Sequence, residues 1–479
     1  MQDSDKKPKR AGRHAAQAPN VAENDIPAEE RQPEQENSEP KLHAPEDNFI
    51  DEYDLLGDEG DIPLRIGKKK KSEKPKKGSK RAKPRKPKRQ EKLFSEKRFH
   101  NRRSLFEIMS ATDEDSFFKP LTIFGHQIRF WPLFVLALFV MLIGVIIISN
   151  GNLKTTNQPV IVVGLPEDLE NYQILVISDL NGRRFGDQQS ALVREIENIG
   201  YDMILCVGDM VGEDGDPEPF YELLDNLNRP GRVYFICGDS DPGPFVKTAR
   251  PIEGTLEQLV LEDWILGGIE RGAHYIDAPT AITVGSAKLW LTPTIYLNLD
   301  AIAYREDWRN QTEQEENGVV VGLNSNYNSL PFTSYRYEQA KRFYTAVREI
   351  APTDMMIGLS HIVPEDDFIR SASSHDLQSD NYLFEPELIV SGHYCGGMWK
   401  VPLLGAFYVP NRLLPRGGWF PKQEDVSGLS SVGESQIFIT NGLSNTSAIP
   451  VLPFRVFNDP EIAVLKLTAK LPDNMLEEN

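Results

Sequence analysis

Residues 130–149, FWPLFVLALFVMLIGVIIIS, form a run of 20 without a charged side chain. In a helix rising 1.5 Å per residue such a run covers about 30 Å, the thickness of a bilayer's hydrocarbon core. A secretory leader would carry a shorter apolar stretch near the N-terminus and end in small residues at a cleavage point. This run begins only after 129 residues. A helix buried in a soluble core is rarely apolar on every face. The run is therefore expected to be a single transmembrane helix, and it divides the chain into two parts that need separate readings.

The flanks orient it. Arg98, Arg102, Arg103, Lys119 and Arg129 precede the run, whereas Lys154 is the lone base in 150–167. Positive flanks stay in the cytoplasm. The expectation is a single-pass protein of the cell membrane with a cytoplasmic N-terminus and an extracytoplasmic C-terminal domain. Ahead of the helix, residues 1–64 hold 17 acids against 7 bases, and residues 65–103 hold 20 bases against 3 acids. Few aromatics and many Pro, Lys, Glu and Gln bury too little apolar surface to offset chain entropy. Residues 1–103 are thus read as a disordered cytoplasmic arm, acidic then polybasic, followed by a juxtamembrane segment over 104–129. Within the arm, residues 68–89 suit contact with anionic lipid headgroups. They carry no interleaved aromatics of the kind base stacking needs, so nucleic acid is not an expected partner.

Past the helix, 150–171 reads as a linker, 172–470 as a globular domain and 471–479 as a tail. The chain has 3 cysteines and no CxxC pair, which excludes a disulfide-stapled scaffold. The run QILVIS (173–178) ends in Asp179, DMILCV (202–207) in Gly208-Asp209, and VYFIC (233–237) in Gly238-Asp239. Residues 190–199 and 220–227 between them have helical spacing. The pattern is β-α-β-α-β, and right-handed crossovers bring the C-terminal ends of such strands to one sheet edge, where ligands collect. Three acids converging there repel one another unless a cation neutralises them. Two more short strands, MMIGL (355–359) and LIV (388–390), run into Ser360-His361 and Ser391-Gly392-His393. A lone histidine is more often a packed residue, but two at strand ends point to ligands. Carboxylates with imidazoles suit divalent metals of the Mn, Fe or Zn class better than calcium. Glu213, Asp214 and Asp216 read as a solvated acidic loop, 300–330 as an exposed insertion, and Cys206 and Cys237 as packed thiols or a disulfide. No P-loop, GxGxxG or GxSxG run is present, so dehydrogenase and serine-hydrolase readings have no support.

In this order the blocks resemble the calcineurin-like metallophosphoesterases, whose motifs run Asp-x-His, Gly-Asp, Gly-Asn-His-Asp/Glu, a strand-end His, and Gly-His-x-His. Here they read Asp179-Leu180-Asn181, Gly208-Asp209, Gly238-Asp239-Ser240-Asp241, Ser360-His361 and Gly392-His393-Tyr394-Cys395. The continuation Gly396-Gly397-Met398 and VPLLG (401–405) is similar to a membrane-associated, bacterial-type phosphodiesterase branch. The resemblance implies an α/β fold: a metallophosphoesterase-type β-sandwich flanked by helices. It also implies metal-dependent phosphoester hydrolysis, with Asp179, Asp209, Asp239, His361 and His393 as metal ligands. Two family histidines are replaced, by Asn181 and Cys395. Asn is a poor donor for a borderline metal, whereas Cys395 is either a zinc-binding thiolate or a neutral packed thiol. Ser240 stands where the family has its acid histidine. One metal rather than two is therefore expected. Two functions follow: a hydrolase of phosphoesters, including lipid-linked ones, at the outer membrane surface, or a non-catalytic protein that binds metal or a phosphorylated ligand.

Overall fold

The computed structural model describes residues 121–123, 126–128, 130–246, 260–319, 329–372, 381–409, 416–445 and 454–470. The expected disordered arm over 1–103, its lipid-binding run 68–89 and the tail 471–479 lie outside the described residues. Of the juxtamembrane segment 104–129, a two-stranded antiparallel hairpin is described, β1 (Leu121–Ile123) with β2 (His126–Ile128).

The apolar run forms helix α1 (Phe130–Gly151), which is long and apolar enough to cross a membrane. Its side chains pack on almost nothing: Phe139 is 58% exposed and Ile147 65%. A core helix of a soluble protein would be covered.

After α1 two six-stranded sheets face each other. The first has the order β3-β17-β4-β5-β6-β7, using β3 (Lys154–Ile161), β4 (Gln173–Ile177), β5 (Met203–Val207), β6 (Val233–Ile236), β7 (His274–Tyr275) and β17 (Glu461–Thr468). Strands β4 to β7 are parallel, and β17 pairs antiparallel to β4 and parallel to β3. The second sheet has the order β15-β16-β11-β10-β9-β8. Its members are β8 (Thr280–Val284), β9 (Ala287–Pro293), β10 (Met355–Leu359), β11 (Leu388–Ser391), β15 (Gly428–Val432) and β16 (Ser435–Ile439). Within it β9, β10, β11 and β16 are parallel.

The period-two pleat assigns the faces. Ile174 and Val176 of β4 pack between the sheets with Leu205, Leu289, Ile357 and Val390. Leu175 and Ile177, one residue out of phase, lie on the helix-covered face, in one core with α2 (Ser190–Asn198), α3 (Glu218–Asn226) and α4 (Asp263–Glu270), which bury Leu192, Ile196, Phe220, Leu224 and Ile265 there. These strands are apolar at consecutive positions because both faces are covered. The mixed α/β fold with facing sheets agrees with the expected class.

Two sequence readings need correction. Residues 150–171 are not a bare linker, since β3 pairs with β17 along all 8 of its residues. The segment from 301 to 316 is not an exposed insertion but helix α5 (Ala301–Glu316), capped by Asp300 and packed on α6 (Ser329–Glu349). Trp308 of α5 is buried edge-on to Phe332 at 5.9 Å, with the Arg336 guanidinium 4.9 Å from its ring. Cys206 and Cys237 are buried free thiols, so no disulfide joins them. Trp308→Ala should lower the stability of the detergent-solubilised chain by about 3–5 kcal/mol in denaturant titrations followed by near-UV circular dichroism. A change under about 0.5 kcal/mol, as expected for an exposed residue, would contradict this packing.

Candidate metal centre

Five strands deliver the expected residues to one end of the two sheets. From β4, β5 and β6 come Asp179, Asp209 and Asp239; from β10 and β11 come His361 and His393. The chain turns sharply at these exits. Asp179 (φ 53°), Asp209 (54°), His393 (67°) and Cys395 (47°) all hold left-handed backbone, a strained conformation that gathers at functional sites. The packing leaves no room for larger neighbours: a Cβ on Gly208 would stand 2.5 Å from His361 Nδ1, and one on Gly238 would stand 2.1 Å from Asp209 Oδ1.

Asp209, Asp239, His361 and His393 form one cluster, with a donor atom from each lying within 4.8 Å of the others. His361 Nδ1 is 2.7 Å from the Val207 carbonyl, which can only accept, so Nδ1 carries the proton. Its Nε2 is 3.1 Å from Asp209 Oδ2 and 3.0 Å from Asp239 Oδ1, yet it is buried and makes no well-directed hydrogen bond among the described residues. His393 Nδ1 is 2.9 Å from Asp239 Oδ1. Burial opposes charge on His361, but the Asp209 and Asp239 carboxylates outweigh it and raise its proton affinity well above the ordinary imidazole range. Asp239 is held well below the usual carboxylate range, because the neighbouring His361 and His393 imidazoles overcome its burial. This place demands positive charge, and an orphaned imidazole nitrogen points at two carboxylates. The donor set fits a divalent metal of the Mn, Fe or Zn class.

Asp241 escaped the sequence reading as a working residue. Its Oδ1 accepts the N–H groups of Val211 and Gly212 at 2.8 and 3.0 Å, and its Oδ2 accepts that of Gly238 at 2.9 Å. Burial and then the neighbouring Asp209 push its carboxyl up to about 6. It locks the β5 exit to the β6 exit. Ser240 contributes its backbone N–H, 2.9 Å from Asp209 Oδ1.

Asp179 stands apart from the cluster. It accepts the Ser178 hydroxyl, the His393 N–H at 3.3 Å and the Cys395 thiol at 3.5 Å. Burial raises the Asp179 carboxyl, with the Asp209 charge adding to it. Burial likewise pushes the Cys395 thiol well up, and Asp179 adds to the effect. Of the two forms left open for Cys395, the neutral packed thiol is the one this environment favours. Asn181 packs its side-chain oxygen on Gly212, where a Cβ would approach it to 2.8 Å. A further cation is built in beside them. Arg455 is fully buried, and its guanidinium donates to the carbonyls of Asn441 (2.7 Å), Gly442 (3.2 Å) and Ser444, leaving Nη1 without a partner among the described residues. Gly442 lies against Asp179: a Cβ on it would be 2.6 Å from Oδ2. Burial lowers the proton affinity of Arg455, and attraction to the Asp179 and Glu461 carboxylates opposes that loss. A protonated thiol and an amide are poor donors for a second metal ion, and the Arg455 charge that acts on Asp179 would repel a cation bound there. The signal for Arg455 in the sequence is a single charge inside the apolar stretch AIPVLPFRVF (448–457).

Residues 172–396 match the model of a family described as calcineurin-like phosphoesterase. No curated protein sequence matches the chain. Among solved structures, phosphopantetheinyl hydrolase (PptH) from Mycobacterium tuberculosis aligns with 57% of this chain and 91% of its own, at 10% identity and a TM-score of 0.28. Sulfate thiohydrolase SoxB from Thermus thermophilus aligns with 64% of this chain and 59% of its own, at 12% identity and a TM-score of 0.26.

Asp241→Ala removes the acceptor of three backbone N–H groups without touching a cluster residue. Calorimetric titration with Mn should show affinity reduced by about 10–100-fold, the usual cost of losing an outer-shell partner. An unchanged affinity would deny Asp241 this role.

Proposed function

We propose that this chain, whose residues 172–396 are a calcineurin-like phosphoesterase domain, is membrane-anchored, binds a phosphoester through one divalent metal ion, and hydrolyses it only feebly. The observation that carries the reading is the uneven site: a complete four-donor cluster that includes Asp209, and beside Asp179 a buried Cys395 thiol and the charge of buried Arg455. Asp209, Asp239, His361 and His393 would hold the metal, which would supply Lewis-acid neutralisation of phosphoester charge. Asp209 is held in place by the Ser240 N–H, and His361 by the Val207 carbonyl. Both ligands are thus oriented before anything binds. Ser240 offers a hydroxyl where the family has an imidazole, and a serine does not give up a proton near neutral pH. General acid help of about 10²–10⁴-fold is accordingly absent. Binding is retained, and rapid turnover is not.

Helix α1 and the basic excess ahead of it support an anchor with the domain outside the cytoplasm. On that reading the polybasic run 68–89 meets anionic headgroups of the inner leaflet. A reporter fused after Asn479 should be active only in an extracytoplasmic compartment. Activity in the cytoplasm would reverse the topology.

Metal analysis tests the site directly. The purified full-length chain should hold one Mn, Fe or Zn ion, and the double variant Asn181→His, Cys395→His should still hold one while Arg455 is present. Adding Arg455→Met should admit a second, whereas Arg455→Lys, which keeps the cation, should not. Two ions in the wild-type chain, or in the double variant, would overturn the one-metal reading. Brisk wild-type hydrolysis of an aryl phosphodiester, lost in His393→Ala, would overturn the claim of feeble turnover.

A further inference from the structure

The last turn of α1 is bonded directly into the domain. Asn150 exchanges hydrogen bonds with the Arg455 backbone, its Oδ1 accepting at 3.0 Å and its Nδ2 donating at 2.9 Å. The Phe457 N–H donates to Ser149 Oγ at 3.0 Å, and the Arg183 guanidinium donates to the Asn150 carbonyl. Ile147 and Ile148, immediately before these residues, are still 65% and 59% exposed. No slack chain separates the apolar helix from the folded part.

Segment 454–458 carries that attachment onward. On its far edge Val456 bridges Trp399, with N–H···O bonds of 2.9 and 3.2 Å linking it to Lys400 and Met398. Trp399 opens a small antiparallel sheet, β12 (Trp399–Val401), β13 (Gly405–Val409) and β14 (Gly418–Trp419). At about 4.8 Å per strand spacing, β14 lies within roughly 15 Å of the strand bonded to the helix end. This sheet is apolar on the outside. Leu403 and Leu404 at the β12–β13 turn are wholly and 73% exposed, Trp419 54%, Phe420 61% and Phe457 50%. Among the described residues outside α1, every exposed Phe or Trp belongs to this patch. The rings are fixed rather than loose: Phe407 meets Trp419 at 5.3 Å and Phe420 at 5.0 Å, and Tyr408 meets Trp419 at 4.6 Å. Exposed Lys422 follows two residues after Phe420.

Scattered apolar residues on a surface need no explanation, but a contiguous aromatic and leucine patch marks an interaction site. We infer that the β12–β14 sheet and Phe457 seat on the outer leaflet of the bilayer that α1 crosses, inserting Leu403, Leu404, Trp419 and Phe420 at headgroup depth. Continuity selects the bilayer over a protein partner, since the patch begins at the residue bonded to the helix end. Trp at the water interface with a neighbouring Lys is the composition such a belt takes. His393 lies six residues ahead of Trp399. Seating therefore holds the chain segment that carries His393 within about 20 Å of the patch, and the phosphoester class it would meet is one carried on a lipid headgroup. The inference rests on α1 being a membrane anchor.

Spin labels on the full-length chain in phosphatidylcholine–phosphatidylglycerol nanodiscs test both statements at once. Leu404→Cys and Phe420→Cys are compared with Val163→Cys, 96% exposed, and with Val140→Cys inside α1. The three native cysteines are buried and escape labelling. Collision with oxygen relative to a water-soluble nickel chelate should rank 140 highest, 404 and 420 next, and 163 lowest. Labels at 404 and 420 matching 163, with 140 lipid-like, would overturn the seating and leave the anchor standing. A water-like label at 140 would overturn both.

Discussion

Asp179, Asp209 and Asp239 leave adjacent strands at one edge of a sheet, two of them fully buried and the third largely so. Carboxylates so placed repel across a medium that screens poorly, and each added negative charge favours protonation of its neighbours. Basic side chains stand on both flanks. His361 stands between Asp209 and Asp239, and Arg455 lies behind Asp179. Removing either would leave buried carboxylates without compensation, a loss that typically costs several kcal/mol. The strained backbone at these exits, the glycines that let His361 approach and the Asp241 lock all serve that balance.

Arg455 is also where the site and the apolar helix meet. Its backbone exchanges hydrogen bonds with Asn150, while its guanidinium grips the 441–444 loop. That loop bonds back to the β4 exit, where the Leu443 and Ser444 N–H groups donate to Ser178 and Asp179 at 2.9 and 2.7 Å. One residue thus ties the helix end to a carboxylate of the candidate site, through contacts that are all buried or half-buried. A shift of α1 relative to the sheets would disturb the Asp179 region before it reached the four-donor cluster.

Much of this was legible in the sequence. The apolar strands ending in Asp or His each announced a strand and a site residue together, because both faces of those strands are covered and the chemistry sits at the loop that follows. The misses have physical causes. Strand β3, KTTNQPVI, is polar enough to pass for a linker, and its partner β17 lies some 300 residues away, beyond any local pattern. Helix α5 hides Tyr304, Trp308 and Thr312, a buried stripe one turn apart, among charged residues that dominate its composition. The state of Cys395 depends on burial and on Asp179, neither of which a motif records. Arg455 belongs to none of the family blocks, and only its fold neighbours reveal what it does.

A fixed guanidinium and an exchangeable metal ion are not equivalent at such a site. Both attract phosphoester charge, and a guanidinium donates well-directed hydrogen bonds to oxygen. Only a metal ion also lowers the pKa of a water molecule and clamps both the entering and the leaving oxygen. Attraction felt equally by the bound phosphoester and by the transition state strengthens binding without speeding the chemical step. On the reading proposed above, Ser240 takes away proton delivery, and Arg455 with Cys395 takes away the second metal's contribution. On the same reading, these substitutions leave in place the share of the chemistry that recognises a phosphoester, so that binding outlasts turnover.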